Sequence, residues 1–137
     1  MKILALAPLA FGFLVLGASA AADEQRPPLK SVSALRVGNY GSPSVMIEAR
    51  DQVQQIIGEL NALRRKAWRQ GDTRLTCYAT LVLLEKGKPA GLFRIGRDFV
   101  VERQSGKGQT SFSLAVAEGD MPRLTKLLAE IKAPKCD

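Results

Sequence analysis

Residues 73–103 read TRLTCYATLVLLEKGKPAGLFRIGRDFVVER, and how that stretch pairs with itself decides the fold. Residues 73–84 alternate, with Cys77, Ala79, Leu81 and Leu83 on one face and Thr76, Tyr78, Thr80 and Val82 on the other, which predicts one long strand. Residues 85–89, EKGKP, turn the chain. Residues 90–95 and 99–103 then pair around a three-residue loop, Gly96-Arg97-Asp98. That register sets Ile95 opposite Phe99 and Phe93 opposite Val101, and it turns Arg94 and Glu102 together to the other face. Residues 110–115 alternate again, with Phe112 and Leu114 to one side. Short runs joined by tight turns predict a meandering antiparallel sheet.

Working outward, residues 51–69 carry Val53, Ile56, Ile57, Leu60, Leu63 and Ala67 at helical spacing. Asp51 is the expected N-cap, Gly71 the expected stop, and Gly58 a point of close packing on the sheet. A second helix opens at Asp120-Met121-Pro122, carries Leu124, Leu127, Leu128 and Ile131, and stops at Pro134. Ahead of the first helix, residues 31–37 and 44–48 flank the turn-rich GNYGSP and predict a hairpin. The expected fold is α+β: a single, mostly antiparallel sheet of about six strands in the order ββ-α-ββββ-α. Both helices are expected on one face.

The chain opens MKILALAPLAFGFLVLGASAAADEQRPP. Lys2, an apolar run and Ala18-Ser19-Ala20 match a cleavable secretory signal over residues 1–20, and the run is short of the roughly 20 residues that span a bilayer. Residues 21–30, with Pro27-Pro28, read as a flexible leader, and residues 31–137 as a single domain. The expectation is a periplasmic or secreted protein with no transmembrane anchor after processing. In that compartment Cys77 and Cys136, the only cysteines, predict one disulfide. The loop it closes would contribute about 4 kcal/mol on the chain-entropy model.

Chemistry is narrowed by what the chain lacks. With no histidine there is no Ser–His or Cys–His dyad, and nothing calls for a metal or cofactor. Gly106-Lys107-Gly108 lacks the spacing of a phosphate loop and runs into an alternating strand, so no nucleotide is expected. Its exposed Lys107 can still touch a partner. Removing Lys2 with the signal leaves 19 basic and 13 acidic side chains, a charge of +6 that favours acidic partners. Two surfaces suit binding. One is the helix-free sheet face with Tyr78, Thr80, Arg94 and Glu102, edged by the Lys107 loop. The other is the basic end of the long helix, Arg64, Arg65, Lys66, Arg69 and Arg74, with Trp68 available for stacking. The first suits a non-catalytic protein-binding module of inhibitor, immunity or accessory type, with a partner in the cell envelope. The second suits an anionic polymer or lipid headgroups.

Overall fold

Alternating β-formers around residues 79–103 do form the centre of a sheet, with a register that differs from the expected one. The computed structural model describes residues 25–39, 44–103 and 110–134. Residues 1–20, expected to be a secretory signal, and Lys107 and Cys136 therefore lie outside the described residues. Strands β1 (Ala34–Asn39) and β2 (Val45–Ile47) precede helix α1 (Arg50–Arg64). Strands β3 (Arg69–Gln70), β4 (Ala79–Glu85), β5 (Lys88–Ile95), β6 (Phe99–Arg103) and β7 (Ser111–Ala115) follow, then helix α2 (Pro122–Glu130). The fold is α+β, with one antiparallel sheet of seven strands in the order β2-β1-β4-β5-β6-β7-β3 and two helices. The strand beyond the expected count is the two-residue β3.

The turn between β4 and β5 is tighter than EKGKP suggests. Lys86 and Gly87 both take positive φ, 53° and 81°, and Glu85 pairs with Lys88, so a two-residue loop suffices. Pro89, with no N–H to give, falls where the register shifts between Leu83 and Leu84. The β5–β6 turn is also tighter. The Gly96 N–H donates to Phe99 O at 2.9 Å, and Ile95 pairs with Val100 rather than Phe99. A slip of one residue turns every side chain of a strand over. Val100 and Glu102 therefore face the helices, opposite Ile95 and Phe93, while Val101 sits beside Arg94 on the other face.

The stripe read in residues 51–69 is real up to Leu63, and both helices pack it against one side of the sheet. Val53, Ile56, Leu60 and Leu63 of α1 and Leu124 and Leu127 of α2 share a buried cluster with Leu35, Leu81, Phe93, Val100 and Phe112. Each fully buried aliphatic or aromatic side chain contributes about 1.5–3 kcal/mol. Helix α1 stops at Arg64, five residues early, because Trp68 turns back into the core. Trp68 is 0% exposed, and its indole N–H donates to Leu63 O at 2.8 Å. Ala67 is exposed. At the other end Asp51 lies in the first turn, and the N-cap is Ala49, with no side-chain cap. The second helix is capped from α1: Glu59 accepts from the N–H groups of Arg123 and Leu124 at 2.8 and 3.0 Å. Asp120 instead accepts from the Ala117 N–H at 2.8 Å and pairs with Lys66 at 3.5 Å. These contacts, Ala117 first, hold its carboxyl below the ordinary carboxylate range.

Two irregular segments complete the fold. Residues 71–78, expected to begin the long strand, cross the helix-free face from edge strand β3 back to central β4. Gly71 O accepts from the Ser113 hydroxyl at 2.8 Å, Asp72 pairs with Arg94 at 2.6 Å, and Tyr78 lies under the Arg94 guanidinium at 5.6 Å. A Cβ at Gly96 would stand 3.2 Å from Leu75 Cδ2, so the glycine lets the strap lie close. Beneath it Val101 is 0% exposed. The second segment, residues 25–33, overlaps the leader expected over residues 21–30 and is tied to α1. Leu29 N–H donates to Asn61 Oδ1 at 2.6 Å, Asn61 Nδ2 donates to Leu29 O at 3.4 Å, and the Arg26 N–H donates to Arg64 O at 2.7 Å.

Gly58 is exposed in the middle of α1, and a Cβ there would meet nothing within 4 Å, so close packing is not its role. Gly58→Ala is expected to raise stability by about 0.5–1 kcal/mol, seen as a higher urea midpoint at unchanged slope. A lower midpoint would show that the position is packed after all.

Candidate functional site

The one-residue register shift splits the side chains expected on the helix-free face. Tyr78, Thr80 and Arg94 lie there, half-buried, with Thr80 and Arg94 opposite each other across β4 and β5. Glu102 does not join them. It is 6% exposed on the helix side, where Arg64 Nη1 donates to its Oε2 and Arg26 Nε stands 3.6 Å from its Oε1. Arg64 Nε also donates to Pro27 O. Three charged groups thus share the interior with one positive charge in excess. Arg26 offsets part of that excess by stacking on Phe112, 3.6 Å from the ring centroid.

That arrangement also divides the basic end of α1. Arg64 is buried in the ion cluster, and Trp68 has no ring face exposed for stacking. Arg65 and Lys66 remain exposed at the helix end, Lys66 beside Asp120. Arg69 lies on edge strand β3 opposite Ser113, and Arg74 is exposed on the strap. The six residues therefore do not form one surface.

A different constellation lies where the strap does not reach. On the helix-free side of β1 and β4, Arg36, Gly38, Asn39, Ser44, Thr80 and Val82 line a cleft of about 220 Å³. Arg36 is half-buried, with Met46 of β2 on one side and Val82 of β4 on the other. Among the described residues no carboxylate pairs with it. Met46 is 45% exposed and Val45 39%, so the adjoining edge is apolar. A guanidinium in a cleft that also carries two hydroxyls, beside an apolar edge, suits a carboxylate carried on a partly apolar molecule. Only Thr80 of this group was expected from the sequence. The missing signal was Arg36 itself, a lone charge between Leu35 and Val37 in the weakly alternating first arm of the expected hairpin.

Among the described residues no group of three or more His, Cys, Asp or Glu side chains is placed to hold a metal ion, and no helix is long and apolar enough to cross a membrane. No protein-family model, no curated protein and no solved structure matches this chain.

Glu102 and Arg94 separate structural from exposed charge. Glu102→Ala strands two arginines in the interior and is expected to cost about 3–5 kcal/mol in urea unfolding. Arg94→Ala, which breaks a pair with the exposed Asp72, is expected to cost about 1 kcal/mol or less. Equal losses would contradict the placement of Glu102.

Proposed function

We propose that this chain is an exported, non-catalytic protein-binding module of inhibitor, immunity or accessory type, acting on a partner in the cell envelope. Export rests on the signal-like residues 1–20. Binding rests on Arg36, a half-buried arginine with no carboxylate partner among the described residues, at the edge of a cleft beside exposed Met46. Holding an arginine out of bulk water without a counter-charge is unfavourable, and a partner's carboxylate relieves that cost. Arginine and large apolar side chains are also the residues on which protein interfaces concentrate their binding energy. A bridge between Cys77 and Cys136 belongs to the same proposal, anchoring the strap near its entry into β4. Alkylation of the unreduced, denatured protein should then label neither cysteine.

The binding reading is tested by affinity capture from an envelope extract, with the exported protein as bait at low and high salt. A stoichiometric protein retained at high salt, lost with Arg36→Glu and kept with Arg65→Glu, is the expected result. Retention only at low salt, lost with Arg65→Glu, would overturn it in favour of an anionic polymer.

A further inference from the structure

We infer that the partner of the Arg36 cleft enters as an extended peptide segment that adds a strand to the outer edge of β2 and presents a carboxylate side chain to Arg36. This deepens the binding-module reading and rests on it. The two edges of the sheet are unlike. The β3 edge is two exposed polar residues, Arg69 and Gln70. The β2 edge is Val45-Met46-Ile47, with Val45 and Met46 well exposed, and among the described residues no strand pairs with its outer side. An edge of that kind offers a row of backbone donors and acceptors to an incoming strand.

Register fixes what such a strand would carry. Met46 is the cross-strand neighbour of Arg36, so both lie on the helix-free face. An added strand would stand about 4.8 Å beyond β2, and so about 9.6 Å from β1. A glutamate on its helix-free side, lying across Met46, meets the Arg36 guanidinium reaching the other way. Ser44, which lines the same cleft just ahead of β2, has a hydroxyl to offer the second carboxylate oxygen. On the alternate positions the added strand would turn apolar side chains towards Val45, which faces the helix side. The preferred segment therefore alternates, with an acidic residue on one face and apolar residues on the other. The excess positive charge of the chain, +7 over the full sequence, favours the same acidic ligand.

The test pans a random dodecapeptide library on phage against the exported protein, with Arg36→Met and Met46→Glu proteins in parallel. Selected peptides should carry an acidic residue flanked by apolar residues at alternate positions. Their capture should fall about tenfold or more with either variant. Each variant is first checked for an unchanged unfolding midpoint. Amide hydrogen exchange with a selected peptide should slow at Val45, Met46 or Ile47. Absence of any enriched peptide, enrichment without an acidic residue, equal capture by Arg36→Met, or unslowed β2 amides would each overturn strand addition. If the envelope partner is still lost with Arg36→Glu in such a case, the binding module stands and only the mode of entry fails.

Discussion

A carboxylate buried between two arginines organises this fold. Glu102 comes from β6, Arg64 from the last residue of α1, and Arg26 from the segment before β1, so one ionic contact joins three parts of the chain. Removing ions from water costs several kcal/mol each, and their attraction repays that cost only in one arrangement. Burying the pair thus adds little net stability, but it penalises alternatives heavily. A β6 slipped by one residue would carry Glu102 out to the helix-free face and leave Arg64 and Arg26 in the core with no carboxylate. The cluster therefore holds the β5–β6 register, where Val100 and Val101 are too alike to hold it by hydrophobicity alone. It also fixes where α1 ends and where the N-terminal segment lies.

The division of surface follows from that register. With Val101 turned to the helix-free side, an apolar side chain needs cover, and residues 71–78 provide it on their way from β3 to β4. The strap uses Arg94 for its own anchoring, through Asp72 and Tyr78, so the middle of that face is taken. Among the described residues, nothing covers the quarter over β1, β2 and the near side of β4. There, among the described residues, Arg36 has no counter-charge and Met46 is 45% exposed. The cleft around Arg36 thus differs from both surfaces that the sequence first suggested, with Thr80 the one expected residue in its lining.

Much of the scaffold was legible because it obeys simple periodicity. The stripe from Val53 to Leu63, the alternation of Ala79, Leu81 and Leu83, and the leucines of α2 each point one way and are buried that way. The errors occur where two readings share one pattern. FVVER alternates acceptably in either register, and local sequence assigns a glutamate to the solvent face, since only tertiary contacts show the two arginines waiting for it. Trp68 among basic residues looked exposed for the same reason, yet its N–H caps a carbonyl of the helix it ends. Thr73 to Tyr78 are strand-formers in composition, but the chain must first cross the sheet before it can enter β4. Arg36 escaped notice because Ala34-Leu35-Arg36-Val37-Gly38-Asn39 is a weak strand by itself and gains its order from pairing on both sides with β2 and β4.

The claim on which everything else rests is the register of β5 against β6, and it can be read from backbone proton distances by NMR. Since Gly96 and Phe99 share a hydrogen bond across the turn, the next pair is a closely spaced one. A strong Hα–Hα contact between Ile95 and Val100, repeated between Phe93 and Glu102, is the expected result. Contacts from Ile95 to Phe99 and from Phe93 to Val101 would instead return Glu102 to the open face, and the buried ion cluster would have to be abandoned.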